Sequence, residues 1–241
     1  MEVWAHRGFS GLYPENTMLA FEKAVESGCD GIEMDVHLSK DGEPVVIHDE
    51  SLLRTCGIDK AVSDLTLDEL TKIRASKTQN DRFDATIPSF EEFCSFVKKS
   101  GTRANIEIKT GIVYYPYIEE KVVALVKKYG IESQIIFSSF NWLSLVIVKR
   151  LLPNVDCGLL FEKMLDIKHL SYLAFEAGLN LLHPDFTLID DEMIKESSSL
   201  GLKINAWTVN KEEDIKSMIQ KSINGVITNY PDRALKLLNR F

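Results

Sequence analysis

Positive charge is in short supply in this chain: 28 Lys and Arg against 36 Asp and Glu leave a net charge of −8 over 241 residues. That balance speaks against a nucleic-acid partner, which calls for a basic patch. It also means that an anionic ligand must be met by local cations or a metal. Cysteine is scarce as well. Cys29, Cys56, Cys94 and Cys157 form no C-x-x-C pair, so zinc and thioredoxin-type sites lack support and free thiols in a reducing compartment are expected. Long apolar runs are missing too. The densest, residues 143–148, falls well short of the roughly 20 residues a spanning helix needs. At the start, Glu2 and Arg7 flank a short apolar stretch without the pattern of a secretory leader. A cytoplasmic protein without stable membrane insertion is expected. Low-complexity tracts and internal repeats are also lacking.

What the chain does have is a rhythm. Short β-branched runs at 2–6, 31–37, 44–48, 104–109, 134–138, 156–161, 179–183, 202–208 and 224–228 alternate with amphipathic stretches at 17–27, 118–129, 141–151, 168–176, 190–199, 211–221 and 231–239. Repeated β-then-α order implies parallel strands joined by right-handed crossovers. About eight such units predict a closed (β/α)8 barrel, one domain over 1–241, with a doubly wound sheet as the other possibility. The surplus run, 44–48, follows 31–37 after Lys40-Asp41-Gly42. That turn is too short for a parallel crossover and predicts a hairpin, which folds His48 back towards Glu33. Residues 49–88 break the rhythm. They read as an insertion over one end of the barrel, either a surface excursion or a substrate lid.

Chemistry-bearing residues gather at the ends of the early strands. The first strand closes on Ala5-His6-Arg7-Gly8, and polar groups at the C-terminal end of a barrel strand face the usual active-site mouth. In Pro14-Glu15-Asn16-Thr17, Thr17 reads as a helix cap, while Glu15 and Asn16 are open. Alternation along Gly31-Ile32-Glu33-Met34-Asp35-Val36-His37 sets Glu33, Asp35 and His37 on one face. Two carboxylates directed into a barrel mouth repel each other, and a divalent cation removes the repulsion. Glu107 and Lys109 share a face of a later strand, so Glu107 is placed to complete a three-carboxylate set and Lys109 to meet a phosphate oxygen. His37 reads as structural, His183 as a minor candidate for the mouth, Asn210 and Asp232 as helix caps, and His169 as solvated on an outer helix.

Each motif alone is weak; their joint occurrence is specific. The segments HRGFSGLYPENTMLAF (6–21), DGIEMDVHLSKDGEPVVIHDESLLRTCG (30–57), NIEIK (105–109), SSFN (138–141), AWTVN (206–210) and GVITNYPD (225–232) resemble the glycerophosphodiester phosphodiesterase family, in the family's order and over nearly the whole chain. The resemblance implies a distorted (β/α)8 TIM barrel with a small insertion after the early strands, matching 49–88. It implies that Glu33, Asp35 and Glu107 bind one divalent ion, Mg2+ or Ca2+, that His6 and His48 are an acid–base pair, and that Arg7 and Lys109 contact phosphate. Trp207 matches an aromatic near the site, and Phe140 is placed as an apolar wall for substrate. The implied reaction is hydrolysis of a small-molecule glycerophosphodiester to sn-glycerol 3-phosphate and an alcohol. Attack by the glycerol 2-hydroxyl and attack by water are both compatible with these residues. Competing readings are a phosphodiester lyase or lysophospholipase D on the same barrel, which an apolar ridge at the mouth favours, and a non-catalytic phosphodiester-binding barrel. A glycosidase using the paired carboxylates leaves His6, Arg7, His48 and Lys109 without roles.

Overall fold

The computed structural model describes residues 1–162 and 167–240, and for 167–169 the backbone alone. The His169 side chain therefore lies outside the described residues. The strands are Glu2–Ala5 (β1), Gly31–Leu38 (β2), Pro44–Val46 (β3), Arg103–Ile108 (β4), Ile135–Ser139 (β5), Asp156–Phe161 (β6), Leu181–Pro184 (β7), Lys203–Ala206 (β8) and Gly225–Thr228 (β9). The α-helices are Met18–Glu26 (α1), Leu53–Cys56 (α2), Leu67–Leu70 (α3), Phe90–Ser100 (α4), Ile118–Tyr129 (α5), Trp142–Leu151 (α6), Ile167–Glu176 (α7), Asp191–Ser199 (α8), Glu212–Gln220 (α9) and Pro231–Leu237 (α10).

Strand order β1-β9-β8-β7-β6-β5-β4-β2, closed by β1 pairing with β2, makes an eight-stranded parallel barrel. β3 stands outside this ring, antiparallel to β2 with Val36 opposite Val46 and His37 opposite Val45. The expected hairpin thus forms, ending in a tight register that delivers His48 back to the mouth. Alternation sorts the two faces of each strand. Val3, Ala5, Ile32, Met34, Val36, Ala104, Ile106 and Ile108 pack outward into the helical layer. Trp4, Ile136, Leu181 and Ile227 fill the barrel interior. Each such fully buried aliphatic side chain contributes about 1.5–3 kcal/mol relative to exposure.

One helix of the ring went unread in the sequence pattern. α4 is capped by Ser89, whose side chain accepts from the Glu92 backbone N–H, and Glu91 and Glu92 sit in its first turn. Its buried face is Phe90, Phe93, Cys94 and Val97, the spacing of a core-facing helix. Its place is the crossover from β2 to β4. The stretch 49–88 carries its own small apolar cluster, in which Leu52, Val62, Leu65, Leu70, Ala75 and Ile87 pack with Val45 and Ile47 of the hairpin. Of its residues, only Glu50 lines the cavity described below. Through this cluster the insertion packs against the hairpin.

Candidate active site

A cavity of about 550 Å3 opens at the C-terminal end of the barrel. His6, Arg7, Glu33, His48, Asn105, Glu107 and Lys109 line its polar side, and Ile112, Phe140, Leu160, Trp207 and Ile227 its apolar side. Register brings the acids together: β2 and β4 align Asp35 with Glu107, and Glu33 lies two residues down the same face. Glu33, Asp35 and Glu107 each offer an oxygen within 4.8 Å of the others, and all three side chains are buried.

Electrostatics test whether this set suits a cation. Burial, with the charges of Asp35 and Glu107 close by, pushes the Glu33 carboxyl well above the usual carboxylate range. Burial raises Glu107 too, against the pull of Lys109. Asp35 goes the other way: burial opposes its ionisation, but His48, Lys109, Arg7 and a hydrogen bond from Asn16 hold it low. Its Oδ1 nevertheless has no hydrogen-bond partner. Three converging buried carboxylates, two under pressure to stay protonated and one with an oxygen free of hydrogen bonds, are what a hard divalent ion resolves. The donor set fits Mg2+ or Ca2+.

Two cations flank the acids. Lys109 Nζ lies 2.7 Å from Glu107 and 3.7 Å from Asp35. Arg7 donates its backbone N–H to Glu33 at 2.9 Å and a guanidinium N–H to Glu15 at 2.8 Å. Its Nε is buried with no hydrogen-bond partner and stands 3.5 Å from Asp35. Arg7 adopts a left-handed backbone (φ 54°). Gly8 follows, where an added Cβ would sit 2.7 Å from the Ala20 backbone of α1. The chain thus turns hard against α1 and directs Arg7 inward.

The histidines differ in what holds them. His6 Nδ1 donates to the neutral amide Asn229 Oδ1 at 2.6 Å, leaving Nε2 on the Glu33 side at 3.9 Å. Burial, reinforced by Arg7, lowers its pKa to about 3. His48 Nδ1 donates to the carboxylate of Asp49 at 2.6 Å, with Nε2 3.3 Å from Lys109 Nζ. The His48 carbonyl in turn accepts from His37 Nε2 at 2.9 Å, while Tyr115 donates to His37 Nδ1 at 3.0 Å. Both ring nitrogens of His37 are thereby engaged within the fold.

Further residues support the site, among them Asn229, to which the sequence pattern gives no role. Asn16, also left-handed, donates to Asp35 at 2.8 Å and positions it. Asn229 orients His6. Asn210 is no helix cap: Lys211 occupies the cap position of α9, and Asn210 accepts from the Asn229 N–H and the Thr228 hydroxyl instead. Asp232 lies in the first turn of α10 behind Tyr230 at the cap position, with Oδ1 unpartnered. Thr17 does cap α1. Phe140 and Trp207 meet edge to face, with ring centroids 5.5 Å apart, and Trp207 donates to the His183 carbonyl at 2.7 Å. Asn105 Oδ1 and Ser138 Oγ line the cavity, buried and without protein partners.

His183 does not line the mouth. It lies in the barrel interior, where Asn205 donates to its Nε2 at 3.3 Å and its Nδ1 has no partner. A Cβ on Gly158 would come within 2.5 Å of that ring, so glycine is required opposite it. Burial lowers the His183 pKa from 6.5 to about 3. A histidine depressed in the fold contributes stability that is whole above pH 6.5 and lost as pH falls towards 3. Between pH 7.5 and 5, urea unfolding of the wild type is expected to lose about 2 kcal/mol more than that of His183→Asn. Equal losses in the two proteins would show that the ring is not held neutral.

Residues 6–233 match the model of the glycerophosphoryl diester phosphodiesterase family. A glycerophosphodiester phosphodiesterase of Caldanaerobacter subterraneus subsp. tengcongensis is 40% identical over 239 residues, covering 99% of this chain and 98% of the relative. The lysophospholipase D GDPD1 of Homo sapiens is 29% identical over 276 residues, covering 98% and 86%. Among solved structures, an Oleispira antarctica phosphodiesterase in complex with its product sn-glycerol-3-phosphate superposes with a TM-score of 0.88 at 27% identity, covering 99% of this chain and 97% of that one. Among the described residues no helix is long and apolar enough to cross a membrane. With the family match running over nearly the whole chain, on a closed parallel barrel, the chain belongs to the glycerophosphoryl diester phosphodiesterase family, enzymes that hydrolyse glycerophosphodiesters.

Proposed function

We propose that the reaction is metal-dependent and releases sn-glycerol 3-phosphate and the free alcohol. The observation that carries this is the buried carboxylate triad with Arg7 and Lys109 on its flanks and a histidine to either side. Glu33, Asp35 and Glu107 would hold one Mg2+ or Ca2+, which when bound supplies Lewis-acid polarisation of the phosphate. The Arg7 guanidinium on the cavity wall and the Lys109 ammonium meet the phosphate oxygens and stabilise charge that develops on them. Asn105 and Ser138, polar and unpartnered on the cavity wall, suit the glycerol hydroxyls.

Partners divide the proton work. His6, with its Nδ1 proton on an amide, presents an Nε2 lone pair on the Glu33 side and takes the proton of the attacking hydroxyl. His48, backed by a carboxylate that balances a charged ring, gives a proton to the departing alkoxide. Lys109 must swing from His48 Nε2 to the phosphate before that ring carries a second proton, since ammonium and imidazolium protons cannot share the 3.3 Å gap.

A second substrate class is favoured by the rim. Ile112, Tyr114, Trp142 and Leu143 are each more than half exposed. Ile112 and Tyr114 sit on the loop after β4 and Trp142 and Leu143 in the first turn of α6, two segments tied by Thr110–Ser144 (2.9 Å) and Asn141–Thr110 (3.2 Å) hydrogen bonds. This ridge continues the apolar wall of Phe140 and Trp207, as a monoacyl chain on the glycerol requires, and supports lysophospholipase D activity beside the main reaction.

The test is release of glycerol 3-phosphate from glycerophosphocholine, and of choline from lysophosphatidylcholine, with chelator and with Mg2+ or Ca2+ restored. Metal-dependent release from glycerophosphocholine, lost in Glu107→Ala, is expected. Ile112→Ser with Trp142→Ser is expected to lower the lysophospholipid rate about tenfold and leave glycerophosphocholine turnover in place. No release from any glycerophosphodiester by folded, metal-replete protein sinks the main reading. Equal loss on both substrates removes the ridge from substrate choice.

A further inference from the structure

Arg54 stands on α2 in the insertion and does not line the cavity, yet it joins the two arms of the site. Its Nε donates to Asp49 Oδ2 at 2.7 Å and its Nη2 to Asp49 Oδ1 at 3.0 Å. The same guanidinium donates to Glu15 through Nη1 at 2.6 Å and Nη2 at 2.8 Å. Asp49 holds His48 Nδ1 at 2.6 Å, and Glu15 holds Arg7 Nη1 at 2.8 Å. A single planar fork thus sets the position of an imidazole delivered by the β2–β3 hairpin and of a guanidinium delivered by the loop after β1. These segments have no covalent reason to keep register with each other.

We propose that Arg54 is a positioning residue that fixes the spacing between His48 and Arg7 by clamping Asp49 and Glu15 together. The proposal rests on the roles given above to His48 and Arg7. Stability alone is a poor account of the clamp. The Arg54 side chain is 42% exposed, against 12% for Glu15 and 25% for Asp49, and an ion pair with one partner open to water adds little to the fold. Geometry is a better one, since misplacing a catalytic group by about 1 Å can cost 10²-fold in rate. Two bidentate contacts need a guanidinium; a lysine ammonium is a point charge that cannot make both.

Turnover of glycerophosphocholine by Arg54→Met and Arg54→Lys, each with bound metal, tests this. Both variants are expected to lose kcat by about 30- to 100-fold with KM within about threefold, and to melt within about 4 °C of wild type. In a His48→Ala background Arg54→Met is expected to cost markedly less than in wild type, because one of the arms it aligns is already gone. A kcat within threefold of wild type for Arg54→Met overturns the proposal. So does a loss confined to KM, full retention of kcat by Arg54→Lys, or losses that multiply in the double variant. If His48→Ala itself turns over like wild type, the reading of the site fails; if it is impaired while Arg54→Met is not, only the clamp fails.

Discussion

In chelator at pH 8, Glu33→Gln is expected to melt higher than the wild type, and with metal restored it is expected to be slower by roughly a thousandfold, the rate equivalent of the several kcal/mol that an electrophilic cation contributes. The two effects have one cause. Glu33 is buried beside Asp35 and Glu107, and its ionisation is opposed first by desolvation and then by both neighbours. A group whose pKa is raised by folding costs stability wherever pH forces it to ionise. Glutamine keeps the shape, and its amide oxygen still accepts the Arg7 N–H that Glu33 accepts at 2.9 Å. Only the charge is removed. A gain of about 1–3 kcal/mol is expected, which for a domain of this size raises Tm by about 2–10 °C. The gain should shrink as pH falls towards 4.5, the ordinary glutamate value, because a protonated Glu33 and a glutamine carry the same charge. Added Mg2+ or Ca2+ should then raise the Tm of the wild type more than that of the variant. Thermal melts at pH 8 and pH 5, with and without chelator, read all three effects. A lower melting temperature for Glu33→Gln in chelator at pH 8 would falsify the account of the triad as a site strained by mutual repulsion. Stability surrendered for function is common where like charges are gathered for a ligand.

The barrel was legible because its strands obey a local rule. Period-two alternation in Gly31–Leu38 separates Glu33 and Asp35 from Ile32, Met34 and Val36 whatever the rest of the chain does, and the Asp41-Gly42 turn marks the hairpin by chemistry confined to a few residues. α4 is equally local, with a Ser89 cap and a Phe90, Phe93, Cys94, Val97 stripe, but it follows the irregular 49–88 stretch directly, which hides it from the β-then-α rhythm. The metal-binding candidates came from alternation plus resemblance. Their supports did not, because these bridge distant parts of the chain: Asn229 reaches His6 across 223 positions, and Arg54 reaches Glu15 across 39. Asn210 looked like a cap since its type and place before a helix satisfy the local rule. Its real partners, Thr228 and Asn229, belong to another strand end. Asp49, a carboxylate adjacent to a candidate histidine, and Glu15 and Asn16, in the motif after the first strand, are supports with a local signal.

His6→Ala and His48→Ala are expected to differ less in how much they lose than in what restores them. Removing a general acid or base costs about 10²–10⁴-fold, so both variants should be slow on glycerophosphocholine, whose leaving alkoxide needs a proton. On glycerol 3-(p-nitrophenyl phosphate) the leaving phenolate departs without one. His48→Ala is then expected to recover to within about tenfold of the wild type, while His6→Ala remains down by the full factor, because the nucleophile must still lose its proton. The difference follows from the partners. His6 shares its Nδ1 proton with an uncharged amide, which leaves the Nε2 lone pair on the Glu33 side as the acceptor. His48 shares its Nδ1 proton with Asp49, a carboxylate that burial disfavours but that His48 and Arg54 hold below the usual range, so a second proton on the ring is electrically balanced. Steady-state rates for the two variants on the two substrates decide it. Recovery by His6→Ala and not by His48→Ala reverses the assignment. Recovery by neither places the slow step outside leaving-group departure. Recovery by both removes proton transfer from these two rings altogether and leaves the cation, Arg7 and Lys109 to account for the rate.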